Sequence, residues 1–437
     1  MAELIRQVTL IGATHQSVGR DASGGTIADV MIDGGRIAAI TPQIPDFPTD
    51  AQIIDGSGQF LGPGLIDLYS QSGEPGHESR ETRASLRQAA TAGGFTRVGL
   101  LPTTKPAVDN VSAIAAILSD SPHLPNPEAG KTTSAAKATL LPWSTVTIGA
   151  QGKQLVEFAE LSRAGAIGFT DAWPLTNPVL VRRLLEYMQP LNKPIALWPC
   201  DLQLAGKGVA RQGLDNLRLG LAGVSASAET SALAALIEYV AEMPTPIHVM
   251  RVSTARSVEL IQQAKQRGLP ITASVAWHHL CFDTSDLQDY SPSLRHNPPL
   301  GTPTDRLALV EAVKAGVLDA IAVDHAPYTY EEKTVAFSTA PPGAIGLELA
   351  LPILWQTFVS SGRWSAELLW HRLSHGPARC LGLDIEEVKA GGIAELTLFN
   401  PEEKWTVNAK NLRSLSPFNT PWASQTIKGK ATRIWNS

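Results

Sequence analysis

The stretch Gly64-Leu65-Ile66-Asp67-Leu68-Tyr69-Ser70-Gln71 decides the fold that we predict for this sequence. Its apolar character and short length indicate a buried β-strand that ends in polar residues. Residues two apart on a strand point to the same side, so Tyr69 and Gln71 are expected to face the same way. In parallel α/β barrels, functional groups collect where the strands end. The stretch therefore predicts a strand that carries Tyr69 and Gln71 into the mouth of a barrel.

The composition is that of a globular protein of moderate negative charge. The chain has 437 residues, of which 43% are hydrophobic and 18% charged, with a formal net charge of -5. No cluster of Lys and Arg stands out, so nucleic acid is not an expected partner, and small molecules or proteins are. No apolar stretch is long enough to span a bilayer comfortably, and no secretory segment is visible. We expect a cytoplasmic protein. The three cysteines are far apart and form no paired motif, which indicates structural thiols.

The two ends of the chain share a β character that the middle lacks. Short apolar runs at residues 8–11, 27–32 and 36–40 are separated by turns, and Asp33-Gly34-Gly35 is a strong hairpin signal. Similar runs return at 394–399 and 431–435. We therefore predict one small β-sandwich domain built from residues 1–60 and 389–437. Residues 61–388 form the second predicted domain.

Residues 61–388 alternate helical patterns with short apolar strands. This alternation indicates parallel βα units, and the number of strands favours a closed (β/α)8 TIM-type barrel. A low-complexity insertion at 119–138 is expected to be a surface loop. The predicted barrel strands lie at residues 61–67, 97–101, 144–149, 166–169, 194–197, 247–250, 271–274 and 320–323.

A series of short motifs in a fixed order resembles one family, the dihydroorotases of the amidohydrolase superfamily. Each motif is weak alone, but their order and spacing cover nearly the whole chain. The motifs are Pro63-Gly-Leu-Ile-Asp67, Glu74-Pro-Gly76, Pro102-Thr-Thr-Lys-Pro-Ala-Val-Asp-Asn110, Gly168-Phe-Thr-Asp171, Val252-Ser-Thr254, Asn297-Pro-Pro-Leu300, Val323-Asp-His-Ala-Pro327, Glu331-Glu-Lys333, Pro342-Gly-Ala-Ile-Gly-Leu-Glu348 and Asn419-Thr-Pro.

The resemblance implies a zinc enzyme that interconverts carbamoyl aspartate and dihydroorotate, with histidines as most of the metal ligands. Carried over to this chain, four of the histidine positions hold Tyr69, Gln71, Trp198 and Arg251. Two carboxylates survive at positions that the resemblance assigns to the metal site, Asp171 and Asp324. Two carboxylates alone hold zinc poorly, because a catalytic zinc site needs about three protein ligands.

The positions that the resemblance assigns to substrate binding are also changed. The arginine that grips the substrate carboxylate corresponds to Gly73, the asparagine that assists it to Thr103, and a histidine to Tyr328. Asn297 is retained. Loss of the arginine removes a bidentate clamp on the carboxylate. We therefore predict that the metal site and the substrate clamp are both degenerate.

The remaining candidate residues have structural interpretations. Asp324 and His325 are neighbours on a strand and point to opposite faces, so only one can face the mouth. The adjacent pair His278 and His279 is expected to be structural, and His248 to be a hydrogen-bonded core histidine. Because a buried carboxylate needs a partner, we predict that Arg251 neutralises Asp171 or Asp324, with Tyr69 and Trp198 filling the former site.

The sequence thus predicts a dihydroorotase-like protein that is not catalytic and needs no metal cofactor. The resemblance suggests a structural or regulatory subunit in pyrimidine biosynthesis, with aspartate carbamoyltransferase as a partner, and a homo-oligomer. The alternative is an active cyclic amidohydrolase that holds zinc with Asp171, Asp324 and water. A third interpretation is a sensor that binds a small ligand in the reshaped pocket.

Overall fold

The computed structural model describes residues 2–12, 26–120 and 136–436 of the chain. These residues form one set of parallel strands with surrounding helices and a separate sheet built from both ends of the chain. In chain order the strands are β1 (Glu3–Leu10), β2 (Thr26–Asp33), β3 (Arg36–Thr41), β4 (Gln52–Asp55), β5 (Phe60–Pro63), β6 (Leu65–Ser70), β7 (Phe95–Leu100), β8 (Thr139–Ser144), β9 (Gly168–Phe169), β10 (Ala196–Leu197), β11 (Ala210–Arg211), β12 (Gly223–Val224), β13 (Ile247–Val249), β14 (Ile271–Ala276), β15 (Ala320–Ala322), β16 (Leu396–Thr406) and β17 (Thr426–Trp435).

Helices follow most of the barrel strands and cover them from outside. Helix α8 shows why they form. Thr254 caps its first turn by accepting a hydrogen bond from the Ser257 amide, and Val258, Ile261 and Ala264 make its buried face. The helices are α1 (Arg83–Ala92), α2 (Val111–Ser119), α3 (Phe158–Arg163), α4 (Pro178–Met188), α5 (Leu202–Ala205), α6 (Leu214–Arg218), α7 (Ser227–Glu242), α8 (Ala255–Gln266), α9 (His278–Cys281), α10 (Pro303–Ala315), α11 (Tyr330–Lys333), α12 (Ala350–Leu354), α13 (Ala366–Leu373) and α14 (His375–Leu381).

Eight parallel strands form the barrel. Strands β6, β7, β8 and β9 make one run, and β10, β13, β14 and β15 make the other. An isolated parallel bridge between Phe169 and Ile195 joins the two runs. At the other junction the buried carboxylate of Asp67 on β6 accepts a hydrogen bond of 2.7 Å from the Val323 amide beyond β15. The predicted (β/α)8 TIM-type barrel is confirmed.

The sheet at the ends of the chain brings distant segments together. Its strand order is β17-β16-β5-β1-β2-β3, and β4 pairs with β1. A core of its own, which includes Val30, Ile37 and Leu396, lies against this sheet. The single strand that we predicted at 61–67 is wrong: β5 belongs to this sheet and only β6 to the barrel. The change comes at Gly64, where an added Cβ atom would overlap the Thr96 side chain, so only glycine fits.

The predicted strand at 144–149 is also displaced, since β8 ends at Ser144. The amides of Val146 and Thr147 instead donate hydrogen bonds to the carboxylate of Asp171, so the chain leaves the sheet there. Most of the predicted surface loop at 119–138 lies outside the described residues. Within the described ranges, none of the helices has the length and apolar character needed to cross a membrane.

The buried carboxyl group of Asp67 should make the stability of the barrel depend on pH. Burial raises its pKa to about 7 from 3.8. Between these two values the folded protein holds a proton that the unfolded chain has lost, so the free energy of unfolding falls as the pH rises. We expect Asp67→Asn, which stays uncharged, to lose less stability than the unsubstituted protein between pH 5 and pH 8, by on the order of 2 kcal/mol.

Urea denaturation at the two pH values measures this difference. The exposed substitution Asp50→Asn serves as the control and should follow the unsubstituted protein. Glu348, whose pKa burial also raises to about 7, should leave part of the pH dependence in place in the Asp67→Asn protein. Equal loss of stability in the Asp67→Asn and unsubstituted proteins would show that Asp67 is not the titrating group.

Candidate functional site

The carboxyl ends of the barrel strands meet at one mouth, and the predicted site residues lie there. Tyr69 is on β6, and Asp171, Trp198, Arg251 and Asp324 follow β9, β10, β13 and β15. Arg251 and Asp324 have positive φ angles of 56° and 48°, and Ala172, next to Asp171, has one of 50°. Residues other than glycine rarely adopt this conformation, which concentrates at functional sites. The mouth thus keeps the backbone form of a binding site.

Arg251 and Asp324 form a bidentate ion pair at the centre of this mouth. Nε of Arg251 donates to one carboxylate oxygen at 2.8 Å and Nη2 to the other at 2.7 Å. The third donor, Nη1, lies 3.1 Å from the carbonyl oxygen of Ala172. The side chains are only 7% and 15% exposed. Burial acts to lower the pKa of Arg251, but the Asp324 carboxylate outweighs it and raises that pKa. The predicted pairing with Asp324 is confirmed.

Two aromatic rings enclose the guanidinium of Arg251. Its Cζ atom lies 5.2 Å from the ring centre of Trp198 and 5.8 Å from that of Tyr69. Rings at these distances attract a buried cation through their negative faces. Trp173 meets Trp198 edge to face at 5.9 Å, although half of its surface is exposed. The aromatic rings therefore stabilise a positive side chain at a place where the family resemblance puts a metal ligand.

Tyr69 takes part in a hydrogen-bonded chain through the barrel core. Its hydroxyl group lies 2.9 Å from Oγ of Ser274 and accepts a hydrogen bond from the Arg251 amide. Oγ of Ser274 lies 2.8 Å from Nε2 of His248, and Nδ1 of His248 lies 3.0 Å from Oγ1 of Thr272. Burial lowers the pKa of His248 to about 4, so the ring is neutral at pH 7. The prediction of a hydrogen-bonded core histidine is confirmed.

Asp171, which follows β9, is held by the loop after the neighbouring strand β8 and not by Arg251. One carboxylate oxygen accepts hydrogen bonds from the amides of Val146 and Thr147, and the other accepts one from the Thr147 hydroxyl at 2.6 Å. Burial raises the pKa of Asp171, although these hydrogen bonds oppose the rise. The alternative pairing of Arg251 with Asp171 is therefore wrong, because the carboxylate is already satisfied.

Four other predicted residues border what remains of the pocket. We call it the mouth cavity: a space of about 190 Å³ lined by residues that include Gln71, Thr103, Asn297, Arg251, Asp324 and Tyr328. Gly73 is placed elsewhere. A Cβ atom at position 73 would overlap the carbonyl oxygen of His77, so an arginine cannot replace Gly73 without a shift of the backbone. An arginine clamp for a substrate carboxylate therefore has no place in this loop.

Three histidines also line the mouth cavity, and sequence reasoning found only two of them. His278, His279 and His296 are all at most 6% exposed, and the His278 and His296 ring centres are 4.4 Å apart. Burial lowers the pKa of each, to about 4 for His279, so the rings are neutral. The prediction for His278 and His279 did not include their place at the cavity. His296 directly precedes the motif Asn297-Pro-Pro-Leu300, which is the only signal that could have identified it.

His325 points away from the mouth, as the alternation of strand residues predicted. Its Nδ1 accepts a hydrogen bond from the Gly346 amide at 3.1 Å, and Nε2 lies 3.5 Å from the Glu81 carboxylate. Both side chains are almost completely buried. His325 and Asp324 are therefore separate in space and do not form an acid–base pair.

The residues in the mouth do not fit a zinc ion. Among residues 2–12, 26–120 and 136–436, no three side chains of His, Cys, Asp or Glu are grouped as a metal site requires. The carboxylate of Asp324 is occupied by Arg251, and that of Asp171 by the loop after β8. The guanidinium cannot lose its proton and brings a positive charge to the place where a dication would lie.

Comparisons with known proteins agree with the resemblance. A family model described as dihydro-orotase-like matches residues 58–231. A probable dihydroorotase-like protein of Synechocystis sp. is 43% identical over 430 residues, which cover 94% of this chain and 96% of that protein. The dihydroorotase of Geobacter metallireducens is 34% identical over 407 residues, covering 93% and 92%. The chain belongs to the dihydroorotase family of the amidohydrolase superfamily.

A solved structure supports the fold of this family member. The L-hydantoinase (dihydropyrimidinase) of Arthrobacter aurescens superposes with a TM-score of 0.79, covering all of this chain and 97% of that one. The sequence identity is only 20%, so the likeness concerns the fold. It confirms the barrel with a strand-rich region formed by the chain ends.

Substitution of Arg251 should show how much the ion pair with Asp324 contributes to the stability of the protein. Arg251→Met leaves the buried Asp324 carboxylate without its partner, and we expect unfolding to become easier by about 3 kcal/mol. The added substitution Asp324→Asn should restore most of this loss. Arg256→Met breaks an ion pair with Glu259 in which both side chains are more than half exposed, and should change stability by less than about 1 kcal/mol.

Urea denaturation of these four proteins, counting the unsubstituted one, shows whether the cost of Arg251→Met comes from the unpaired Asp324 carboxylate. The interpretation of a buried, coupled pair is contradicted if Arg251→Met and Arg256→Met lower the stability equally.

Proposed function

We propose that this protein is a non-catalytic member of the dihydroorotase family. Its role would be structural or regulatory, in pyrimidine biosynthesis, and aspartate carbamoyltransferase is the partner that the family resemblance suggests. Relatives named dihydroorotase at 34% identity over more than nine-tenths of the chain support the connection with the pathway. The loss of catalysis is inferred from the site, and the partner is inferred from the family resemblance.

One observation carries the proposal: the Arg251–Asp324 ion pair lies where the resemblance places metal ligands. A zinc ion there would have to displace a bidentate, mostly buried hydrogen-bonded pair. Few side chains there could act as zinc ligands. The Tyr69 hydroxyl group is hydrogen-bonded to Ser274, and the indole of Trp198 has no lone pair for a metal. The guanidinium of Arg251 therefore neutralises the Asp324 carboxylate, which the resemblance implies that a metal ion does in dihydroorotases.

The substrate side supports the same conclusion. An enzyme that binds carbamoyl aspartate must bind its carboxylates, and the guanidinium of an arginine does this best, through two parallel hydrogen bonds. Arg251 is the arginine at the centre of the mouth cavity, and three of its nitrogen atoms already have protein acceptors. The donors of Arg251 are thus engaged within the protein and are not available to a substrate carboxylate.

The alternative is an active amidohydrolase with zinc held by Asp171, Asp324 and water. The structure offers little for it, because hydrogen bonds from Val146, Thr147 and Arg251 already occupy both carboxylates. This alternative predicts zinc binding and ring opening of dihydroorotate, whereas the proposal predicts neither.

Assays of ring opening of dihydroorotate, with zinc supplied in excess, separate the two functions. We expect activity at least roughly a thousandfold below that of the Geobacter metallireducens dihydroorotase measured in parallel, since metal polarisation is worth several kcal/mol of the barrier. We also expect much less than one zinc per chain by elemental analysis. Activity comparable to that of the control together with one bound zinc would overturn the proposal.

Co-expression tests the partner. The tagged chain and the aspartate carbamoyltransferase of the same genome should elute together from a size-exclusion column, with a molar mass by light scattering that exceeds the mass of either alone. The same measurement gives the oligomeric state, which we propose to be a homo-oligomer. Separate elution at micromolar concentrations of both proteins would exclude a stable structural subunit of this enzyme.

A further inference from the structure

A second cavity lies beside the mouth cavity, and it is more basic. We call it the side cavity: a space of about 260 Å³ between the loops after β10 and β14, lined by residues that include Lys207, Arg211, Glu229 and Arg295. Trp173, Trp198 and Asn297 border both cavities. The side cavity does not include any of the residues at the degenerate metal positions except Trp198.

Arg211 brings a buried positive charge to the side cavity, with Glu229 as its ion-pair partner and the Ser225 carbonyl oxygen as an acceptor for Nη1 at 3.5 Å. Its side chain is 2% exposed, and its nearest carboxylate oxygen, on Glu229, is 3.8 Å away. Nη2 donates to the Ser253 hydroxyl at 2.6 Å, whereas the buried Nε has no hydrogen-bond partner. A buried charge with an unused donor is costly unless something else satisfies it.

Glu229 is occupied by other groups. One of its oxygens accepts hydrogen bonds from the Ser253 amide at 3.0 Å and the Thr254 hydroxyl at 3.3 Å. The other accepts one from the Ser253 hydroxyl. These bonds fix Glu229 to the start of α8, with its carboxylate 3.8 Å from Arg211, so Glu229 offsets one of the positive charges at the side cavity.

Arg295 adds a second guanidinium, and this one has no carboxylate partner among the described residues. Its Nη1 donates to the carbonyl oxygen of His296 at 2.7 Å, and its buried Nε has no partner. In the part of the chain that the structure describes, Arg295 makes no ion pair within 4.0 Å. Burial lowers its pKa, as expected where no anion opposes the loss of water.

We propose that the side cavity binds a small organic dicarboxylate. The cationic groups of Lys207, Arg211 and Arg295 exceed the single carboxylate of Glu229 by two charges, which matches a dianion. Guanidinium groups bind carboxylates through paired hydrogen bonds. Most of the remaining wall is apolar, from side chains such as Val209, Val224 and Pro298, which suits a ligand with a carbon body. The volume restricts the ligand to the size of a small metabolite.

Isothermal titration of the full-length protein tests this, with succinate as the probe. We expect saturable binding of one succinate per chain and no binding of succinamide, which has the same shape without the charges. Arg295→Gln should weaken binding at least tenfold, because one guanidinium is lost. Arg295→Lys should keep part of it, which shows that a folded protein with the charge retained still binds.

The control variant is Arg218→Gln, whose side chain is 74% exposed, and it should bind as the unsubstituted protein does. Thr103→Val probes the mouth cavity and should also leave succinate binding unchanged. Any one of four results would overturn the proposal. They are no succinate binding up to about 10 mM, equal succinate binding in Arg295→Gln, binding of inorganic phosphate but not of succinate, and succinate binding that Thr103→Val abolishes.

Discussion

The ion pair between Arg251 and Asp324 is the interaction on which the mouth of this barrel depends. A carboxylate at the end of a barrel strand is costly to bury without a cation, and the strand-end geometry that points Asp324 inward is retained. In this chain the cation comes from the next barrel strand but one. Arg251 in turn requires aromatic walls and a carbonyl acceptor, which Tyr69, Trp198 and Ala172 provide.

The residues around this ion pair are connected with one another by direct contacts. Tyr69 both borders the guanidinium and accepts a hydrogen bond from the backbone of Arg251, and its hydroxyl group continues into the chain of Ser274 and His248. The side chains of Tyr69, Trp198 and Arg251, at positions that the resemblance assigns to metal ligands, thus pack against one another, as side chains do in a protein core.

Much of the fold could be predicted from the sequence because it follows from local patterns. The hairpin at Asp33-Gly34-Gly35 and the alternation of strands and helices identified both parts of the molecule. The prediction failed where tertiary contacts decide, as at β5 and β6, which form one apolar run in the sequence but pair with different sheets. Likewise, the choice of Asp324 over Asp171 depends on loop amides of Val146 and Thr147, and no sequence pattern shows where those point. Arg211 lies on β11 and Arg295 lies in the segment after β14, so their approach in space could not be predicted either.

Anomalous diffraction at the zinc edge, from crystals soaked in millimolar zinc, tests the central claim most directly. The claim is that the guanidinium of Arg251 permanently takes the place of a metal. It predicts no anomalous peak between Asp171 and Asp324 and an unchanged ion pair of Arg251 with Asp324. A peak at that place, with Arg251 rotated away and both carboxylates on the ion, would contradict it.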